Sequence, residues 1–310
     1  MEFFRTQTHI PFMALSRYTA ILSGLMFAVS IGFLVTKGLN FGLDFTGGTQ
    51  VELHYNTSVE VSTVRDMLQH AGYKDAKVTH YGSTQDILVR FAAHQKTDEQ
   101  ALSNHIQKLL VNEPKHPAEV RRVEFVGAEV GEQLSRQGSL AVLLAILASM
   151  GYIALRFEYR FAVSAAVALL HDPIVILGVF SALHLEFDLA TLAAILSVVG
   201  YSLNDTIVVL DRVRENFRKV RQSTPREILD LSINQTLSRT IMTSFMTLLV
   251  VIALFFFGGS SLHGFSTALL IGILIGTYSS IYVAGALALK LGLSRKDLLP
   301  RAKTTVYDTP

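Results

Sequence analysis

With 310 residues, half of them hydrophobic, 17% charged and a mean hydropathy of +0.39, the chain is too apolar for a soluble domain of its size. The formal net charge of +2 is too small to point to nucleic acid as a partner. The absence of cysteine excludes a disulfide framework, a thiolate metal site and a cysteine nucleophile.

Residues 1–16 carry Phe3, Phe4, Ile10, Phe12 and Met13 around Arg5. That composition suits a cytoplasmic segment lying along the membrane surface or a loose tail. Residues 18–36 hold no charge and are fenced by Arg17 and Lys37, which predicts a first transmembrane helix over 17–37. Its apolar run is longer than that of a cleaved signal peptide, and no clear small-residue cleavage site follows it.

Polar residues return over 38–138. The alternation at 49–55 reads as a strand, and Val61, Val64, Met67, Leu68 and Ala71 repeat at helical spacing. Residues 77–81 and 86–91 read as two strands around Gly82 and Ser83. A helix is expected over 99–111, with Leu102, Ile106, Leu109 and Leu110 as its stripe, and a last strand over 119–126. The order β-α-β-β-α-β predicts a small α+β ferredoxin-like domain.

Apolar segments at 139–155, 161–183, 189–210, 240–257 and 264–289 predict helices two to six within 139–290. Loop charge sets their orientation. Arg156 and Arg160, the basic loop 211–239 and the tail 291–310 hold the Lys and Arg residues, whereas 184–188 and 258–263 hold none. Both termini are therefore expected in the cytoplasm and the 38–138 domain outside. Thr224-Pro-Arg-Glu227 is a capping box with proline at the first helical position. Ile228, Leu231 and Leu237 then suit a helix on the membrane or on a partner.

Ionisable groups inside the apolar segments are the candidate functional residues. Asp205 lies in the fourth helix, where a carboxylate costs about 2.5–3.5 kcal/mol on the insertion scale. Ser197, Tyr201, Asn204 and Asp205 recur at helical spacing, so they share a side that faces other helices or a wet cavity. His171 and Asp172 precede Pro173 midway along the third helix, where a kink is expected. Arg239 starts the fifth helix, with Thr240, Thr243, Ser244 and Thr247 below it, and helix six adds Thr277, Tyr278, Ser279 and Ser280.

Two readings stay open for these groups. Asp205 and Arg239 either form a static packing pair or take part in a proton relay, and Arg239 can also snorkel to water. His171 and Asp172 suit packing at the kink or proton handling. One His beside one Asp is too few ligands for a metal. The glycine-rich stretch 38–49 lacks the Gly-Lys-Ser/Thr ending of a phosphate loop and reads as a tight turn. Gly272 and Gly276 make a small-xxx-small pair for close helix packing.

Two stretches together carry a resemblance. Gly42-Leu-Asp-Phe-Thr-Gly-Gly-Thr49 follows the first helix, and the fourth holds Val199-Gly-Tyr-Ser-Leu-Asn-Asp-Thr-Ile-Val-Val-Leu-Asp-Arg-Val-Arg-Glu-Asn-Phe217. In this order and at these places they resemble the SecF family of bacterial protein-export membrane proteins, over nearly the whole chain. His171-Asp172 and Leu237-Ser-Arg-Thr240 also look like family positions. The resemblance implies a six-helix half of a resistance-nodulation-division-type transporter in the bacterial inner membrane, pairing with SecD. It implies work beside the SecYEG channel, association with SecA, YajC and YidC, and use of the proton gradient to help pull secretory polypeptides across. Asp205 and Arg239 would belong to the proton pathway, with Asn204, Asp172 and His171 beside them and a further carboxylate from SecD. Gly42, Asp44, Gly47, Gly48 and Gly200 would be motif positions.

No catalytic residue and no cofactor is expected, and the coupling ion is H⁺ or Na⁺. No ATP site, Gly-x-Ser-x-Gly elbow or zinc motif is present in the sequence. The competing readings are an ion-coupled half-transporter for a small molecule, and a membrane scaffold or sensor in which Asp205 only packs.

Overall fold

The computed structural model describes residues 8–81, 83–92, 117–220 and 222–293. Helix α1 (Ser16–Thr36) leads into the two-residue strand β1 (Asn40–Phe41) and the short helix α2 (Leu43–Thr46). The inserted domain then runs β2 (Gly48–Tyr55), α3 (Val61–His70), β3 (Lys77–Tyr81), β4 (Ser83–Phe91) and β5 (Ala118–Val126). Helices α4 (Ala128–Arg156) and α5 (Tyr159–Ala182) follow, then β6 (Glu186–Phe187), α6 (Leu189–Lys219), α7 (Pro225–Phe257) and α8 (His263–Lys290). Among the described residues, α1 and α4 to α8 are the six helices long and apolar enough to cross a membrane.

The sheet order is β3-β4-β2-β5, antiparallel throughout, as a ferredoxin-like domain requires. The helix expected over 99–111 lies outside the described residues. One face of the sheet packs Val51, Leu53, Ile87 and Val89 against Val64 and Leu68 of α3, following the two-residue alternation of the strands. The other face is polar. There Asp86 accepts a 2.6 Å hydrogen bond from Ser83 and lies 2.6 Å from His54 Nδ1 and 3.2 Å from Arg121. Burial alone would raise the Asp86 carboxyl, but Ser83, His54 and Arg121 together hold it below its usual value.

In the helical bundle α6 and α8 pack closely. A Cβ on Gly272 would collide with the Val198 side chain, and one on Gly276 would stand 3.0 Å from Ser202 Cβ. The small-xxx-small pair thus lets the two backbones approach. Leu140, Leu143, Leu144 and Leu147 of α4 and Phe245, Leu249, Val250 and Phe256 of α7 point outwards, as lipid-facing residues do.

Three stretches differ from expectation. Helix α4 starts at Ala128, ahead of its apolar segment, because its first turns pack on the inserted domain: a Cβ on Gly131 would stand 2.9 Å from Gly47 N. The basic stretch 211–239 is not a long loop. Helix α6 continues to Lys219, steadied by Glu215 pairing with Arg212 at 2.8 Å and Lys219 at 2.5 Å. Helix α7 begins at Pro225 with both halves of the capping box made, and Ile228, Leu229, Ile233 and Leu237 are core residues. The N-terminal segment is neither a surface helix nor loose where it is described. Met13 N–H donates to Asp230 Oδ1 at 2.7 Å and Ile10 N–H to Asn234 Oδ1 at 3.0 Å, while Phe12 and Met13 enter the core.

Gly272→Ala should lower the thermal midpoint of the detergent-solubilised protein, by an overpacking cost of about 1–3 kcal/mol. Gly151→Ala, with nothing within 4 Å of its Cβ position, should leave the midpoint unchanged or slightly raised.

Candidate functional site

Asp172 is fully buried and joins three helices. On α5, its Oδ2 accepts from Ser202 Oγ of α6 at 2.5 Å and from Ser279 Oγ of α8 at 2.8 Å, and its Oδ1 lies 3.0 Å from His171 Nδ1. Helix α5 continues through Pro173. The His171 ring stacks on Phe27 of α1, centroids 6.3 Å apart, and its buried Nε2 has no hydrogen-bond partner. Charge-assisted hydrogen bonds of this kind are strong where water is excluded.

Asp205, on α6, is 3% exposed and differently placed. Its buried Oδ2 has no hydrogen-bond partner. The charge of Arg239 on α7 acts on it through space, yet among the described residues no ion pair joins the two, and Arg239 is exposed. A chain of hydroxyls runs beside this region: Tyr201 Oη donates to Ser244 Oγ at 3.1 Å, Ser244 lies 2.8 Å from Thr277 Oγ1, and Thr206 lies 2.9 Å from Ser280. An unsatisfied carboxylate in a low-dielectric bundle is relieved by a proton or by an opposite charge. Asn204 does not join this cluster. Together with Ala193, Ser197 and Gly200 it forms an exposed stripe on α6, and no atom lies within 4 Å of a Cβ position at Gly200.

The structure thus brings His171 and Asp172 together with Ser202 and Ser279. Ser279 stood out in sequence only as one of a polar run, and Ser202 did not stand out at all. Its signal was its place one turn before Asp205 on the same helix.

The glycine-rich turn lies at the other end of α6. Gly47 has φ +66°, open to glycine but strained for other residues, and a Cβ there would stand 2.9 Å from Ala128 Cα. Asp44 Oδ2 accepts from Leu189 N–H at 2.9 Å, and Asp188 Oδ1 accepts from Thr191 N–H at 2.7 Å, so two carboxylates cap α6. Arg90 of β4 crosses from the sheet to the bundle, donating to Gln50 Oε1 at 2.9 Å and to Glu186 Oε1 at 2.5 Å. Burial pushes the Glu186 carboxyl up, Arg90 draws it down, and Asp188 and Asp44 add to the rise. A cleft of about 640 Å³ lies between sheet and bundle, with Asp44, Arg90, Arg122, Glu186 and His263 in its wall.

Six apolar helices, a sheet domain inserted after the first and ionisable side chains inside the bundle define a multi-pass membrane protein. Residues 106–294 match the family described as protein export membrane protein SecD/SecF, C-terminal, and residues 32–59 match the SecD/SecF GG motif. The chain belongs to the SecD/SecF family of protein-export membrane proteins. It is 48% identical over 299 residues to the protein translocase subunit SecF of Vibrio alginolyticus, covering 96% of this chain and 95% of that one. It is 46% identical over 302 residues to the SecF subunit of Pseudomonas aeruginosa, covering 97% and 98%. The crystal structure of SecDF, a translocon-associated membrane protein from Thermus thermophilus, superposes with a TM-score of 0.85 at 40% identity. That match covers 93% of this chain, which spans only 39% of the SecDF chain.

Asp172→Ala should destabilise the detergent-solubilised protein by about 1–3 kcal/mol, because Ser202 and Ser279 lose their acceptor. Asp172→Asn, which keeps one carbonyl acceptor, should cost less. Thermal unfolding of the two variants side by side checks the order.

Proposed function

We propose that this chain is the SecF-type half of a SecD–SecF complex that uses the proton gradient across the bacterial inner membrane to help draw secretory polypeptides outward beside the SecYEG channel. The observation that carries this reading is Asp205: a carboxylate inside the bundle whose buried oxygen has no partner among the described residues, within range of the charge of Arg239. Such a carboxylate can accept a proton, pair with Arg239 when it is released, and bias the tilt of the helices that carry them. Asp172 and His171 form a second ionisable pair on the same helix cluster, 3.0 Å apart.

The partner follows from the exposed face. Asn204 on α6 and Arg239 on α7 would be costly against lipid, while Ala193, Ser197 and Gly200 permit a close helix approach. A second six-helix bundle from SecD suits this face and would bring its own carboxylate to Arg239. The Thermus SecDF chain, of which this one spans 39%, supports that pairing. SecA, YajC and YidC belong to the same proposal as associated components, and lipid surrounds the remaining faces.

Orientation follows from charge. Arg156 pairs with Asp211 at 2.8 Å and Arg214 with Glu158 at 2.9 Å, and Arg160 donates to the Gly292 carbonyl, so the basic residues gather at the bundle end away from the sheet domain. By the positive-inside rule that end is cytoplasmic, with both termini, and the sheet domain lies outside. The coupling ion is H⁺, with Na⁺ as the alternative for a carboxylate among hydroxyls. No cofactor and no chemical catalysis is proposed.

A proton moving down about 100 mV supplies about 2.3 kcal/mol, so losing it can slow a driven step by up to about 50-fold. Asp205→Asn should therefore slow processing of a secreted precursor several-fold in pulse-chase, at normal membrane level and with SecD still co-purifying. Unchanged export with an intact complex would reduce Asp205 to a packing residue.

A further inference from the structure

We infer that Asp44 is a positioning residue that fastens the outer end of α6 to the sheet domain, and so transmits movement of that helix to the domain. The inference rests on the proposed proton coupling at Asp205. Helix α6 carries both Ser202, which holds Asp172, and Asp205. Leu189, its first residue, lies about 24 Å along the axis from Asp205 at 1.5 Å per residue. Helices this long bend little, so a tilt at Asp205 moves Leu189.

What Leu189 is tied to decides where that movement goes. Its N–H donates to Asp44 Oδ2 at 2.9 Å, a charge-assisted bond at the positive end of the helix. Asp44 belongs to α2, which leads through Gly47 and Gly48 directly into β2, a strand bonded on both sides within the sheet. This path from α6 to the centre of the domain contains one side-chain hydrogen bond and five residues of chain, Asp44 to Gly48.

The surroundings leave this joint little slack. Gly42 N–H donates to the Phe187 carbonyl at 2.8 Å, and β1 pairs with β6 just before α6 begins. A Cβ on Gly42 would stand 3.1 Å from Asp188 Cβ, and one on Gly47 would stand 2.9 Å from Ala128 Cα of α4. Phe45 stacks on Phe187 with centroids 5.7 Å apart. Helix α2 is therefore wedged between the starts of α4 and α6, and the glycines are the positions where a side chain would force it out. Asp188 caps the same helix from within its own segment, so Asp44 is not needed merely to form α6. Its distinct contribution is a direct bond from the first N–H of α6 itself to the segment that enters β2, beside the Gly42–Phe187 bond and the Arg90–Glu186 bridge that hold the residues just before the helix.

The test uses the full chain with its SecD partner in membranes. Proton uptake under an imposed gradient and precursor export are measured for wild type, Asp44→Ala and Asp44→Asn. The joint predicts that Asp44→Ala keeps proton uptake within about two-fold and loses export several-fold, and that Asp44→Asn, which retains a carbonyl acceptor for Leu189, restores most of it. Because the chain has no cysteine, spin labels on Ser62→Cys and Arg218→Cys, an exposed site on α6 away from the stripe proposed to face SecD, report the domain-to-α6 distance directly. The distribution should broaden in Asp44→Ala and narrow again in Asp44→Asn. Wild-type export in Asp44→Ala, joint loss of uptake and export without rescue by asparagine, or an unchanged label distribution would each overturn the joint. Absence of proton uptake in wild type would instead sink the coupling at Asp205, and the label distances alone would then decide the joint.

Discussion

A carboxylate removed from water must be given donors, an opposite charge or a proton, and the bundle is arranged around two answers to that requirement. Asp172 receives hydroxyl donors from two other helices, and its bonds hold α5, α6 and α8 in register. Asp205, one turn along α6 from Ser202, receives none at its buried oxygen. The first arrangement stabilises one geometry. The second leaves a group whose energy depends on protonation and on the approach of Arg239, which is what a device driven by an ion gradient needs.

Helix α6 connects these features. Gly272 and Gly276 of α8 bring that helix against Val198 and Ser202. Its C-terminal end runs beyond the apolar segment into an i,i+3 and i,i+4 network at Glu215, and its N-terminal end is capped by Asp44 and Asp188. The sheet domain meets the bundle through the turn that contains Asp44 and through the Arg90–Glu186 bridge. Its third attachment is α4, which continues from β5 almost without interruption. The inserted domain is thus held at points rather than across a broad apolar face, with a polar cleft between it and the bundle.

Much of this was legible in the sequence. Apolar runs of bilayer length marked the six helices, and alternation at 49–55 marked the central strand of the sheet. Thr224 and Glu227 announced the start of α7. The extensions of α4 and α6, and the unbroken run of the capped helix at Pro225 into the fifth apolar segment, were not legible, because hydropathy marks where a helix leaves the membrane, not where it ends. Beyond that point caps, ion pairs and packing decide, as at Glu215 and Ile228. The burial of Met13 depended on a hydrogen bond to Asp230, 217 residues away in the chain. Helical spacing grouped Asn204 with Asp205, yet adjacent positions differ by about 100° around the axis. One side chain is buried and the other exposed. Asp172 looked like half of a His-Asp pair at a proline, and that pair is made, but its hydroxyl donors Ser202 and Ser279 came from helices remote in sequence.

The central claim is that Asp205 exchanges a proton inside the membrane. An infrared pH titration of the complex in lipid, following the C=O stretch of protonated carboxyl groups, measures that step without reference to export. The account predicts a carboxyl band whose intensity changes with pH in wild type and is missing in Asp205→Asn. Superimposable spectra of the two at every pH would mean that Asp205 holds one protonation state throughout, and would contradict it.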